Sequence, residues 1–353
     1  MTPKRDKQAL GQRVLARFRE AGAQEIAPDI LLPAGDLLDL YGEDIRARAY
    51  VTQDPIRGEM MLRPDFTVPV VQAHMANGAE PARYCYLGEV FRKQDIGETR
   101  PEKPRDSEYL QCGFELFSRD PAADAEVFAL FHDALAPYGL RAETGDMGLM
   151  LDAIGGLPLT QARSEALLHH LWRPRRFARL LDRFSAPATA RDFPEATVPW
   201  AGLRSEAETT RRIARLRADA AVPALAPVWS ERLAKLFTLR APAPEALPAL
   251  RDLAEDMPAI APAVARIEAR MQAIAARGID LGGVIFDASH GRSTMEYYDG
   301  FTFSFLADRA GWPPVASGGR YDALTRVLGR GREIPAVGGI VRPGLLAELE
   351  GLA

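Results

Sequence analysis

Cysteine is nearly absent: Cys85 and Cys112 are the only two in 353 residues. That is too few for a disulfide scaffold or a zinc ribbon, and both read as small core residues. Histidine is sparse as well. His74, His132, His169, His170 and His290 form neither an HExxH pattern nor a cluster with cysteine, so metal catalysis has little support. A phosphate-binding loop of the GxxxxGKS/T kind is missing. No apolar run approaches the roughly 20 residues needed to cross a bilayer. The charged start, Met1 to Gln8, has no apolar stretch behind it, which argues against a secretory signal. Basic excess is also lacking, with 44 Lys and Arg against 48 Asp and Glu and a net charge of −4. Chains that live on nucleic-acid phosphates usually show the opposite balance. The expectation is a reduced, cytoplasmic protein with no metal, no cofactor and no membrane partner. What is present is ordinary globular material, 47% hydrophobic and 26% charged. The length suits two domains, or one large domain with an insertion.

The chain opens on helical spacing, with Leu10, Val14 and Phe18 four apart and Gly22 as a stop. Met60 to Thr67 reads as a short strand and then a helix opened by Pro64, running through Val70 and His74. Tyr84 to Arg92 and Tyr109 to Phe117 are rich in aromatic and β-branched residues and read as strands. The charged stretch between them, Lys93 to Ser107, reads as a long hairpin loop. A helix is expected from about Ala122 to Tyr138. From 157 to 278 the composition shifts to Ala, Arg, Leu and Pro. Leu167, Phe177 and Phe184 keep helical spacing, broken by Pro174, and Ser205-Glu206-Ala207-Glu208 is a capping-box pattern. This stretch is expected to be an all-helical insertion. Strand character returns at Gly282 to Asp287 and again from Met295 to Phe305. There Phe301, Phe303 and Phe305 alternate with polar residues, as in a strand with one buried face. Because strands adjoin strands, the fold class is α+β: an antiparallel sheet with flanking helices. The expected division is 1–156 for the first part of the sheet domain, 157–278 for the insertion and 279–353 for the second part.

Few residues carry chemistry. Asp65 and Thr67 close the Leu62-Arg63-Pro64 segment, and Arg92 ends a strand. Gln111 and Glu115 lie four apart on a strand, so they share a face. Tyr297, Tyr298 and Tyr321 sit near glycines. Bland roles fit each of them: Asp65 as a helix cap, Arg92 with Glu115 as a cross-strand ion pair, the tyrosines as core edges. His169 and His170 point to different helix faces, and His290, in a turn with Gly291, is expected to be solvated.

Five strings in order resemble the histidyl-tRNA synthetases. Leu62-Arg63-Pro64-Asp65-Phe66-Thr67 resembles that family's LRPExT segment. Val90-Phe91-Arg92 with Gln111-Cys112-Gly113-Phe114-Glu115 is similar to its class II motif 2. Glu296 to Gly300 resembles the RGLDYYTG element, Ser317 to Asp322 the GGRYDGL element, and Gly339 to Arg342 motif 3. The resemblance implies a class II synthetase-like sheet. It places Asp65 and Thr67 at the α-amino group of a bound histidine and Gln111 near its backbone. Glu115, Tyr298 and Tyr321 are implied around the imidazole, with Tyr297 beside them. Arg92, Arg105 and Arg342 match nucleotide-site positions.

The departures from that pattern fall on adenylation. Ser293 stands where the family has an arginine, with Arg292 one position off; Gln94 replaces the motif 2 glutamate, Ser107 an arginine and Val341 the motif 3 glutamate. Such chemistry depends on positioned cations. Only Pro343 to Ala353 follow motif 3, so no anticodon-binding domain and no tRNA partner are expected. A synthetase-like core with a kept amino-acid side and a damaged nucleotide side resembles the regulatory-subunit family of ATP phosphoribosyltransferase. That resemblance implies no catalytic residues, a separate short catalytic subunit as partner, histidine as effector and a homodimer through class II motif 1, here Phe18 to Leu40. The alternatives are an active amino-acid-activating enzyme and another synthetase paralogue.

Overall fold

The structure, a computed structural model, describes residues 3–35, 47–93, 106–187, 203–292 and 297–352. Helix α1 (Lys4–Glu20) buries Leu10, Val14 and Phe18, as their spacing requires. Gly22, just past its end, has φ of +84°, a conformation that suits glycine. Short strands β1 (Gln24–Glu25), β2 (Leu31–Pro33), β3 (Val51–Asp54) and β4 (Gly58–Leu62) follow, then α2 (Thr67–Asn77). The expected hairpin is present as β5 (Ala82–Phe91) and β6 (Glu108–Phe117), paired over their whole length. Next come α3 (Ala123–Leu135), β7 (Arg141–Asp146) and α4 (Met147–Gly155).

The stretch 157–278 contains α5 (Gln161–His169), α6 (Pro174–Ser185), α7 (Glu206–Ala220), α8 (Pro227–Thr238), α9 (Ala243–Asp256) and α10 (Ala261–Ala275). Pro174 opens α6 rather than breaking a longer helix, since the first turn needs no N–H from it. Ser205 caps α7, accepting from the Glu208 N–H at 3.2 Å. The stretch is not wholly helical: β8 (Arg240–Pro242) pairs with β9 (Val284–Asp287) at the edge of the main sheet. The chain closes with β10 (Phe301–Leu306), β11 (Ala316–Arg320), α11 (Asp322–Leu328), β12 (Ala336–Val341) and α12 (Pro343–Leu349).

The main sheet has nine strands in the order β1-β5-β6-β12-β11-β10-β7-β9-β8; β2-β4-β3 form a small separate sheet. The main sheet is antiparallel except where β1 lies beside β5 and β7 beside β9, which are parallel. One face packs on α1 and α3. There Phe114, Phe128, Phe131, Phe301, Phe303 and Phe305 interlock, with Phe128 stacked on Phe305 at 5.5 Å between centroids. The other face carries the polar groups described below, and its apolar remainder joins a core with the helical stretch through Phe177, Leu233, Leu250 and Ile267.

Three local expectations are corrected. Helix α2 starts at Thr67, not at Pro64. The strand expected from Met295 starts only at Phe301, so Tyr297 and Tyr298 precede it. The reason is Asp299, whose carboxylate accepts the backbone N–H groups of Asp322 and Ala323 at 3.0 and 2.6 Å. That ties the turn to the start of α11 instead of to a neighbouring strand. Finally, the polar face of β10 is buried too. Thr302 and Ser304 are 1% and 2% exposed, and His290, expected in solvent, bonds them through Nδ1 at 2.7 Å and Nε2 at 2.9 Å. Burial pushes the His290 imidazole down to about 4, so it is neutral there.

Candidate functional site

Strand register builds the site. Along β6, Gln111, Gly113, Glu115 and Phe117 alternate onto one face. Opposite them, Gly88 faces Gln111, Tyr86 faces Gly113 and Gly338 faces Glu115. The glycines clear the space. A Cβ on Gly338 would lie 1.6 Å from Glu115 Oε2, and one on Gly113 would lie 2.2 Å from the Tyr86 ring. A third, Gly319, makes room for Tyr298, whose ring would be 2.8 Å from a Cβ there.

Glu115 is the centre. It is fully buried and accepts three hydroxyl hydrogen bonds from three different elements. Thr67 Oγ1 donates at 2.9 Å from the start of α2, and Tyr86 OH at 2.9 Å from β5. Tyr321 OH donates at 2.6 Å from the residue before α11. All its hydrogen-bonding partners among the described residues are hydroxyls. Burial raises the Glu115 carboxyl to about 7, against the pull of those three donors, with Asp65 adding to the rise. Burial and the neighbouring Glu115 also push the Tyr86 and Tyr321 phenols well above their ordinary range, so both are O–H donors at neutral pH.

A second carboxylate stands beside the first. Asp65 Oδ2 accepts from Tyr297 OH at 3.0 Å, and Oδ1 lies 3.5 Å from the Val68 N–H. Phe66, not Asp65, is the cap residue of α2, and Asp65 reaches the first turn only through this long contact while also meeting a tyrosine. Tyr297 packs edge-on against Tyr298 and Tyr321, at 5.0 and 6.1 Å between centroids. Asp65, Thr67, Glu115, Tyr297, Tyr298 and Tyr321 thus form one cluster. Gln111 shares the sheet face with Glu115, is 2% exposed, and its Oε1 has no hydrogen-bond partner. A buried acceptor left unmatched is costly, so this oxygen is a place for a donor to arrive.

The cross-strand pair of Arg92 with Glu115 does not form. Arg92 instead donates Nε to the Pro64 carbonyl at 2.8 Å, bracing the turn that carries Asp65. Arg342 lies just past β12 and donates to Pro314 O at 2.6 Å and to Ser317 Oγ at 3.4 Å. Arg105, Gln94 and Ser293 lie outside the described residues. Arg292 is in a turn rather than a strand. Its Nε donates to Leu171 O at 3.1 Å, and its guanidinium lies over Phe177 and Phe237. This cation is therefore engaged with the helical stretch.

Sequence reasoning passed over several groups. Tyr86 was visible only as a strand residue, although Gly113 on the facing position signals a bulky neighbour. Arg63, 5% exposed, binds Glu89 O at 2.8 Å and lies 4.0 Å over Phe66, which in turn stacks on Tyr86. A second buried polar cluster was also unforeseen. Arg270 of α10 binds Asp124 and Asp146, each at 2.8 Å; Arg320 binds Asp124 at 2.7 Å and Asp322 at 3.1 Å. Burial works against charge on both arginines, and the aspartates more than offset it, so both are held firmly protonated.

Among the described residues no helix is long and apolar enough to cross a membrane. The family profile described as Histidyl-tRNA synthetase matches residues 3–230 and 200–343. ATP phosphoribosyltransferase regulatory subunits from Brucella anthropi and Agrobacterium fabrum are 31% and 32% identical, each aligned over 92% of this chain and 92% of its own length. The one from Mesorhizobium japonicum is 32% identical over 94% of both chains. In three dimensions the chain resembles an ATP phosphoribosyltransferase regulatory subunit/histidyl-tRNA synthetase from Bacillus halodurans C, with TM-score 0.72, 21% identity, and coverage of 98% and 79%. It also resembles histidyl-tRNA synthetase from Nostoc sp. PCC 7120, with TM-score 0.67, 15% identity, and coverage of 100% and 74%. On this sequence likeness the chain belongs to the ATP phosphoribosyltransferase regulatory-subunit family, built on the histidyl-tRNA synthetase fold.

Proposed function

We propose that the chain is a non-catalytic regulatory subunit. It completes a separate, short catalytic ATP phosphoribosyltransferase chain for the first step of histidine biosynthesis and carries feedback by histidine. The observation behind this reading is the Glu115 cluster: a buried carboxylate ringed by hydroxyls, a second carboxylate at Asp65 and an unmatched acceptor on Gln111. Such a set suits an amino acid that brings an ammonium group and ring N–H donors. Feedback then follows from linkage, with histidine preferring one state of the assembled complex. The lack of catalysis rests on the altered adenylation positions and on Arg292, which is engaged elsewhere. A homodimer is proposed through the motif 1 region, Phe18 to Leu40, in whose described part Ile30 and Leu31 are exposed.

Reconstitution tests the reading. The purified chain is expected to co-purify with the short catalytic chain, raise phosphoribosyl transfer and confer inhibition by histidine. Failure to assemble would remove the partner claim. Alone, it is expected to show no histidine-dependent ATP–pyrophosphate exchange; robust exchange would instead establish an amino-acid-activating enzyme. Light scattering at micromolar concentration is expected to give twice the chain mass of 38.7 kDa.

A further inference from the structure

Glu115 meets three O–H donors and no cation among the described residues. Three converging donors fit a carboxylate that carries no proton of its own, because a protonated carboxyl would have to turn one of those contacts into a donation outward. Yet an ionised group at 0% exposure, beside Asp65 and with no cation bonded to it among the described residues, is a buried charge without a partner there. Such a charge is expensive until a positive partner arrives. A neutral ring would add a fourth donor but leave the charge unbalanced. A protonated ring adds the donor and the balance together.

We infer that the site binds the histidine side chain as an imidazolium, its ring proton held against the Glu115 carboxylate, so that ligand binding is linked to proton exchange. This rests on the reading that histidine occupies the cluster. The groups facing Glu115 are Asp65 just before α2 and Thr67 at its start, Tyr86 from β5, Tyr321 before α11, and Tyr297 and Tyr298 before β10. Arg342 acts on Tyr298 from beyond β12. The phenols of Tyr86, Tyr298 and Tyr321 stay protonated through neutral pH, which leaves Glu115 and the ligand ring to exchange the proton. A free imidazole ordinarily titrates near ~6.5, and burial sets Glu115 at about 7. Below both values the separated partners hold two protons and the complex holds one, so binding releases a proton. Above both values they hold none and the complex holds one, so binding takes a proton up.

The test is calorimetric titration of the full-length chain with L-histidine, in buffers of different ionisation enthalpy, at pH 6 and pH 8. The expected result is release of more than about half a proton at pH 6 and uptake of nearly one at pH 8, with the sign changing between. Binding at pH 8 with no uptake would show a neutral ring and overturn the inference while leaving histidine in the site. No binding, with or without the catalytic chain, would overturn the occupancy reading and this inference with it. Glu115→Gln is expected to abolish the uptake at pH 8; uptake that persists in this variant would assign the proton elsewhere and also overturn the inference. Tyr321→Phe keeps the carboxylate but removes one donor, and is expected to move the sign change to higher pH; an unmoved crossover counts against Glu115 as the proton partner.

Discussion

Two buried polar clusters lie within this fold, and they are balanced in opposite ways. In one, Asp146, Asp124 and Asp322 alternate with Arg270 and Arg320, and each guanidinium bridges two carboxylates. In the other, Glu115 and Asp65 stand among hydroxyls, and Gln111 keeps an unmatched oxygen. The first cluster satisfies itself. It joins α3, β7, β11, α11 and, through Arg270, the helical stretch. In the second, Glu115 receives hydroxyl donors alone among the described residues, with no cation bonded to it there. Burial alone therefore does not single out a functional site; the hydroxyl-only surroundings of Glu115 are why the second cluster is the one proposed.

The sharpest way to break this contrast is to strip a partner from each cluster and compare. Asp124→Ala leaves Arg270 and Arg320 short of their shared carboxylate. Loss of one member of a buried ion pair costs about 3–5 kcal/mol, so the denaturation midpoint is expected to fall steeply. A small shift would mean the arginines relax to solvent and the cluster does not hold the core.

Glu115→Gln should do the reverse in the absence of ligand. The folded carboxyl sits at about 7 against an ordinary 4.5, so the folded chain holds a proton that the unfolded chain loses. Its contribution is full below pH 4.5 and falls away as pH rises to about 7. Removing the ionisable group should flatten that slope and hold back about 3 kcal/mol of loss at pH 8. Chemical denaturation of both forms at pH 5 and pH 8 checks this, and a parallel slope in the variant would refute it. In the assembled complex the same variant is expected to weaken histidine inhibition at least tenfold, or about 1.4 kcal/mol.

Gln111→Leu removes an acceptor that has no partner. Stability is expected to change by no more than about 1 kcal/mol, while histidine affinity falls. A large loss of stability with unchanged affinity would make Gln111 structural. A slope of the opposite sign is expected from His290. Its imidazole is held at about 4 against an ordinary 6.5, so its stabilising share is present above pH 6.5 and fades as pH falls toward 4. His290→Gln should flatten the melting temperature across that window, opposite in sign to the Glu115 slope; an unchanged profile would place the acid sensitivity elsewhere.

The amino-acid sequence by itself determined the local elements and the list of candidates. Helical spacing in α1, alternation in β6 and β10, and the Ser205 cap are properties of neighbours along the chain, so they can be read there. The ordered motifs named Asp65, Thr67, Gln111, Glu115, Tyr297, Tyr298 and Tyr321 in the same way. Only the tertiary structure decided what those groups do to one another. Glu115 and Tyr321 are 206 positions apart, and Asp65 and Tyr297 are 232 apart, so no window of sequence shows that they touch. Nor could sequence show that Arg292 turns to Phe177 and Phe237, or that His290 is tied to Thr302 and Ser304. Charge balance is a sum over partners in space. The same aspartate, glutamate or arginine is quenched or unquenched according to which strands the fold sets side by side.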